Sequence, residues 1–193
     1  NLTYAKELTL FFAPNINSYK RFAEGSFAPT TIAWGADNRT CSFRIVGHGP
    51  GKRIECRLPG GDVNPYLALA VMLRAGLDGI EKELKLPPPV EENVFEMSAT
   101  DRAARDIKML PGTLIEAIEA AEESTVLREA LGDHVFESLI RNKAVPAHRV
   151  FDARHHCQRE FVDRTGGLAF RFWYSLVRDA HGMDAVHLRT AGE

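Results

Sequence analysis

The sequence predicts an α+β fold in which antiparallel strands come first and helices follow. Three observations predict it. Residues 40–46 and 53–58 alternate apolar and polar side chains with period two, the mark of half-buried strands. Gly47-His48-Gly49-Pro50-Gly51 lies between them, a loop with enough glycine and proline to turn the chain back. From Asn64-Pro65 onward the apolar residues recur at helical spacing and the strand pattern disappears. With 193 residues, 45% of them hydrophobic, the chain can bury one globular core.

In chain order, Leu8-Thr9-Leu10-Phe11-Phe12 is a short apolar segment closed by the turn residues Ala13-Pro14-Asn15. A loop rich in Asn and Ser follows, carrying Asn17-Ser18-Tyr19-Lys20-Arg21. Residues 30–34 read as a strand and Gly35-Ala36-Asp37-Asn38 as a turn. In the 40–46 strand, Cys41, Phe43 and Ile45 are expected to face the core, with Thr40, Ser42 and Arg44 facing away. In the 53–58 strand, Ile54, Cys56 and Leu58 take the apolar side, and Arg53, Glu55 and Arg57 the other. The two strands form an antiparallel pair. Whether Arg44 shares a face with Glu55 depends on register, which alternation alone leaves open.

Asp62-Val63-Asn64-Pro65 supplies an N-cap and a first-turn proline for a helix. That helix is apolar nearly all round over residues 66–73 and amphipathic to Lys85, which predicts a buried core helix. Pro87-Pro88-Pro89 ends it and begins an irregular acidic connector to about Thr100. Pro111-Gly112 precedes a helix with Leu114, Ile115, Ile118 and Ala121 on one face, and Gly132 separates two further helices at 124–131 and 133–144. No internal repeat is visible.

Net charge is −2, so nothing sequence-wide points to nucleic acid. The charge is unevenly spread: residues 1–60 carry eight Lys or Arg against four Asp or Glu, the remainder 16 against 22. The basic excess therefore surrounds the predicted strands, and it fits a pocket for small anions better than a broad basic surface. Cys41, Cys56 and Cys157 form no metal-binding spacing and no disulfide framework, which predicts a reducing, cytoplasmic setting. The longest apolar run, 66–73, is too short to span a membrane. The chain opens Asn-Leu-Thr-Tyr without an initiator Met or a signal peptide, and is expected to be a fragment of something longer.

A strand that buries Ile54, Cys56 and Leu58 displays arginine, carboxylate, arginine in a row. Carboxylate oxygen is the hard ligand that Mg²⁺ or Mn²⁺ prefers, and a guanidinium fork grips carboxylate or phosphate. Taken alone, the same row is better explained by surface charges paired across the sheet.

Company alters that reading. With Asn17-Ser18-Tyr19-Lys20-Arg21, Ala28-Pro29, Trp34-Gly35 through Asn38-Arg39, Arg53-Ile54-Glu55-Cys56-Arg57 and Asn64-Pro65-Tyr66-Leu67-Ala68-Leu69-Ala70 in one order, the chain resembles the glutamine synthetase family over roughly residues 5–145. Ala75-Gly76-Leu77-Asp78-Gly79-Ile80 and Leu110-Pro111-Gly112-Thr113-Leu114 extend the match. A guanidino-kinase-like phosphotransferase shares the broad fold but leaves residues 17–21 and 64–70 unexplained.

The resemblance implies the C-terminal portion of a glutamine synthetase/guanido kinase-type catalytic domain over residues 1–150. The β-grasp domain and the first half of the catalytic domain are not represented. It implies an ATP-dependent ligase that joins the γ-carboxylate of glutamate to ammonia or a larger amine through a γ-glutamyl phosphate. Two Mg²⁺ or Mn²⁺ ions serve each site, and subunits assemble in homo-oligomeric rings. Arg21 and Arg57 correspond to glutamate-binding arginines, Arg39 to the catalytic arginine that touches phosphate and acyl substrate, Arg44 to an ATP-phosphate arginine, and Glu55 to a metal ligand. Arg53 takes no assigned role. With one metal ligand, the isolated chain is expected to be inactive. The alternative is a non-catalytic remnant or interaction module.

Two departures stand out. Phe27, just before Ala28-Pro29, occupies the place of a flap glutamate that shapes the ammonium site, so the chain resembles the branch that includes γ-glutamylpolyamine synthetases. Losing a carboxylate removes a cation partner and adds an apolar wall for a carbon chain. Beyond Phe151 the family's acidic Trp-Glu ending is missing, and residues 151–193 read as a divergent tail, either frameshifted or disordered. Within it His155, His156 and Cys157 are adjacent and lack chelating spacing, so no metal role is assigned.

Overall fold

The two strands that alternate with period two form the centre of a three-stranded sheet, ordered β1 (Trp34–Ala36), β2 (Phe43–Val46) and β3 (Arg53–Cys56). The computed structural model describes residues 1–23, 26–145 and 147, which belong to one unit, Asn1–Ala147. The divergent tail, with His155, His156 and Cys157, lies outside the described residues.

β2 and β3 pair antiparallel as the alternation predicts, and the register sets Arg44 opposite Glu55 and Ile45 opposite Ile54. β1 joins β2 in parallel, with Trp34 opposite Phe43. Such a short return is possible because β1 is three residues long and Asp37 turns the chain at φ 53. The predicted strand at 30–34 is therefore displaced: Thr31 makes a lone bridge to Met109, and Gly35 and Ala36 belong to β1 rather than to a turn. Gly35 suits this place, since a Cβ there would lie 2.3 Å from the Val90 carbonyl oxygen.

Two facing expectations fail. Ser42 is fully buried, its hydroxyl donating to the Thr31 carbonyl, so one local hydrogen bond offsets the burial of a polar group. Ile54 is 72% exposed, because nothing among the described residues covers that end of β3, and Ile45 opposite it is only half-buried.

The apolar segment at 8–12 lies in α1 (Ala5–Phe12), where Leu8 to Phe12 are all buried. Five apolar or small residues in a row fit a buried helix as well as a strand. Residues 16–22, predicted as loop, make a 3₁₀ helix, Ile16–Phe22. α2 (Pro65–Glu81) starts where Asn64 predicts: its side chain accepts from the amides of Tyr66 (3.0 Å) and Leu67 (3.3 Å). α2 is not a helix buried all round. Ala68, Val71, Ala75 and Asp78 are buried, while Tyr66, Leu69, Leu73, Leu77 and Ile80 are exposed. The run of apolar residues supplies two faces, and the described residues cover one.

The acidic connector ends in α3 (Ala99–Ala104), which the sequence reading missed, and Val90 and Val94 bury against Ala33 and Cys41. Its anchor is a bidentate pair, both Glu92 oxygens lying 2.7 Å from the Arg105 guanidinium. Arg105 holds the Glu92 carboxyl down at about 2. Because the folded value lies below the unfolded one, the pair's contribution is present above pH 4.5 and is lost as pH falls toward 2. A carbon-detected NMR titration should show Glu92 with a midpoint near pH 2, and Arg105→Ala should return it toward 4.5; an ordinary midpoint before substitution would rule the pair out.

α4 (Leu114–Glu122) buries Leu114, Ile118 and Ala121 as predicted, with Ala117 in place of the expected Ile115, which is only partly buried, and Thr113 caps it. α5 (Thr125–Leu131) ends at Gly132, φ 72, and residues 133–145 form a further helix, α6. The main core unites Leu8 and Phe12 of α1, Phe43 of β2, Leu58 just beyond β3, Val71 and Ala75 of α2, and Leu127 and Phe136. One buried carboxylate ties the helices together. Asp78 accepts from the Tyr4 hydroxyl and from Lys82 at 2.9 Å, while Arg74, 3.7 Å away, also reaches Glu129 of α5 at 2.6 Å. The Ser124 hydroxyl donates to Glu7 of α1.

Candidate active site

The β2–β3 register places Arg44 and Glu55 directly opposite on one face, and period two puts Arg57 on that face as well. Arg44 lies between two carboxylates, 3.0 Å from Glu55 and in short contact with Asp37. Glu55 turns its other oxygen to Arg57 Nε, 3.7 Å away. The result is a chain of alternating charge, Asp37–Arg44–Glu55–Arg57. Asp37 and then Glu55 raise the Arg44 guanidinium above its ordinary value, so Arg44 is a permanent cation.

Arg21 enters from the 3₁₀ helix. Its Nη1 donates to the Leu58 carbonyl at 2.6 Å and its Nη2 to the Arg57 carbonyl at 2.9 Å. Burial, with Arg57's charge beside it, lowers Arg21 from its usual value. The 3₁₀ helix is held in place by Asp62, which accepts from Ser18 at 2.5 Å and from Asn15 at 3.1 Å. Arg57 itself keeps one donor uncommitted: its Nη1 is buried and has no hydrogen-bond partner among the described residues. A buried guanidinium donor without a partner is costly unless a ligand oxygen meets it.

Arg39 is exposed on the turn between β1 and β2 and makes no hydrogen bond or ion pair with the cluster among the described residues. Its position is nevertheless fixed. Neighbouring Asn38 donates to the Val90 and Glu92 carbonyls, both at 2.9 Å, and accepts from the Thr40 amide at 2.9 Å. Arg53 is exposed at the outer end of β3, near only the Gly51 carbonyl at 3.4 Å. Phe27 is 77% exposed with φ 57, a left-handed conformation uncommon for an aromatic residue. Burial pushes the Cys41 thiol up to about 11 and raises that of Cys56, so neither is a ready thiolate nucleophile.

The structure thus brings together Arg21, Arg44, Glu55 and Arg57 and leaves Arg39 apart. Asp37 was missed in the sequence. Its signal was an acid in a turn six residues before β2 begins, but pairing with Arg44 depends on the parallel return of β1. As a cation site the cluster does not suffice: Glu55 is shared between two arginines, and no group of three potential ligands occurs among the described residues. As an anion site it is well equipped, with three guanidinium groups around the end of β3.

Residues 1–162 match the family model "Glutamine synthetase, catalytic domain". Among curated relatives, the γ-glutamylethanolamide synthetase GlnA4 of Streptomyces coelicolor is 51% identical over 152 residues, 79% of this chain and 31% of that protein. The glutamine synthetase of Thermus thermophilus is 47% identical over 143 residues, 74% of this chain and 32% of that protein. A solved structure titled as a GmaS/ADP complex superposes with TM-score 0.68 at 32% identity, covering 79% of this chain and 35% of that one. The chain belongs to the glutamine synthetase family, and its fold is the C-terminal portion of that catalytic domain. It spans about a third of the length of the curated relatives it matches.

Proposed function

We propose that this chain contributes the glutamate- and phosphate-binding arginines of an ATP-dependent ligase. That ligase joins the γ-carboxylate of glutamate to an amine in a reducing, cytoplasmic setting. The observation that carries the reading is the β2–β3 register, which aligns Arg44, Glu55 and Arg57 on one face, where Arg57 Nη1 is buried without a partner among the described residues. Activation by ATP makes a γ-glutamyl phosphate, and the amine displaces phosphate. Negative charge accumulates on the transferred phosphoryl oxygens and on the substrate carboxylates, where fixed guanidinium groups stabilise it.

In this reading Arg57 binds a carboxylate of glutamate. Arg21 serves glutamate with whatever donors its two carbonyl bonds leave, and holds the backbone of Arg57 in place. Arg44 faces ATP phosphate, and Arg39, on its braced turn, is the catalytic arginine that meets phosphate and acyl oxygen. Glu55 is one ligand of the two Mg²⁺ or Mn²⁺ ions; the other ligands come from polypeptide this chain does not include. Ring assembly of whole subunits belongs to the same proposal.

The test is phosphate release with ATP, glutamate and a panel of amines. The chain alone is expected to be silent, and a catalytic unit completed with the remaining family polypeptide is expected to be active. Silence of a folded, completed unit with every amine would overturn the reading. Phe27 carries a second expectation. With its exposed aromatic wall the completed unit should prefer an alkylamine to ammonium, and Phe27→Glu should shift kcat/KM toward ammonium by roughly tenfold. An ammonium preference already present with Phe27 would refute the assignment.

A further inference from the structure

The turn that carries Arg39, between β1 and β2, is held from both sides. On one side Asp37, at φ 53, contacts Arg44 with its carboxylate and donates its amide to the Ile45 carbonyl at 2.9 Å. On the other, Asn38 uses every hydrogen-bonding position its side chain has. Nδ2 donates to the Val90 and Glu92 carbonyls, and Oδ1 accepts from the Thr40 amide and, at 2.7 Å, from the Thr40 hydroxyl. Thr40 Oγ1 in turn accepts from the Val94 amide at 3.0 Å.

This is more than local turn chemistry. The bond from the Thr40 amide alone would make an ordinary Asx turn. The two Asn38 donors instead reach carbonyls 52 and 54 positions later. The segment they reach is anchored. Val90 and Val94 bury with Ala33 and Cys41 in a small core of their own, and Arg105 clamps the Glu92 carboxylate. A turn bonded only to itself can rock as a unit, whereas one bonded to an anchored segment is fixed.

We propose that Asn38 and Thr40 are positioning residues for Arg39: they fasten its turn to residues 90–94, so that the guanidinium is presented at a fixed place relative to Arg44 and Glu55. The proposal rests on the catalytic role given to Arg39 above. Arg39 is exposed and makes no hydrogen bond or ion pair with the cluster among the described residues, so the place of its backbone decides where the guanidinium can reach. Charge developing on a phosphoryl group is stabilised best by a donor already in place, and a displacement of about 1 Å can cost roughly a hundredfold in rate. Neither Asn38 nor Thr40 needs to touch substrate to have this effect.

The experiment compares Asn38→Asp, Thr40→Val and Thr40→Ser in a completed catalytic unit, each alone and on an Arg39→Ala background. Asn38→Asp keeps the shape but turns an oxygen toward the Val90 and Glu92 carbonyls, and Thr40→Val removes the acceptor of the Val94 amide. Both are expected to lower kcat by roughly ten- to a hundredfold and to change the glutamate KM by less than about threefold, while Thr40→Ser, which keeps the hydroxyl, should recover most of the loss. On the Arg39→Ala background the same substitutions should cost less than about threefold more, since no guanidinium remains to be misplaced. Should Asn38→Asp fail to fold, Thr40→Val and Thr40→Ser carry the comparison. In the 193-residue chain by itself, amide relaxation measured by NMR should show residues 38–40 as ordered as β2, and loosened by Asn38→Asp or Thr40→Val. Unchanged kcat, losses equal with and without Arg39, a loss confined to KM, or a turn that stays ordered in both variants overturns the proposal and leaves the role of Arg39 standing. An Arg39→Ala variant as active as the parent, or a folded completed unit that is silent, overturns that role and this proposal with it.

Discussion

Replacing Arg57 with alanine in a completed catalytic unit is expected to raise the glutamate KM by roughly 10²–10³-fold. Truncating one member of a desolvated charge pair costs about 2–5 kcal/mol, and each 1.4 kcal/mol is a factor of ten. The desolvated pair is the one its Nη1 would make with substrate, since that donor is buried without a partner among the described residues; Nε lies 3.7 Å from a Glu55 side chain that is 43% exposed, and that pair adds little. Lysine should rescue little, because an ammonium cannot engage Glu55 and a substrate carboxylate through one planar fork. Arg53→Ala is the internal control. Two residues away on the same strand but exposed at its end, it should change KM by less than a factor of about three. Steady-state kinetics with glutamate varied decides the matter, and equal effects of Arg53 and Arg57 would remove the glutamate role from Arg57.

Phe12→Ala is expected to destabilise the chain by about 3–5 kcal/mol, read from urea unfolding at neutral pH. Phe12 is 1% exposed within the main core, where α1 meets the sheet and α2. Loss of its ring leaves a cavity that helices held by Asp78 and Ser124 cannot readily close. A small domain has about 5–15 kcal/mol in total, so the variant should lose roughly a fifth of its stability or more. The site should feel the change too, because the Phe12 carbonyl accepts the Gly60 amide at 2.9 Å, two residues beyond the Leu58 carbonyl that Arg21 holds. Phe27→Ala, at an exposed position, should lie within about 0.5 kcal/mol of the parent. A loss below 1 kcal/mol for Phe12→Ala would show that α1 is not part of the cooperative core.

The parts of this fold that depend on near neighbours were legible in the sequence. The β2–β3 pair followed from alternation and a glycine-rich loop, and the start of α2 from Asn64-Pro65. Helices α4, α5 and α6 followed from apolar spacing and Gly132. What depends on distant partners was not legible. Ile54 and Leu73 look like core residues in sequence, and only the tertiary arrangement shows that nothing described covers them. Ser42 looks outward-facing because its compensation, the Thr31 carbonyl, comes from a segment whose path is not local. The site divides the same way. Arg44, Glu55 and Arg57 were legible as polar-face residues of two strands and through their motifs, while the sharing of one face by Arg44 and Glu55 needed the register. Arg21's hold on two backbone carbonyls and Asp37's grip on Arg44 required the packed chain.

The Asp78 cluster also bears on the order of folding. Tyr4 is bound to a carboxylate 74 positions later, and Glu7 to a hydroxyl 117 positions later. During synthesis α1 therefore appears long before the groups that anchor it, and its apolar face, Leu8 through Phe12, is fully covered only once α2 and then α4 have been made. Contacts this distant slow folding, because loop closure must precede any gain from burial. The nascent chain should accordingly carry α1 as a sticky, unpacked segment that chaperones can recognise, with packing completed only after residue 124 has emerged.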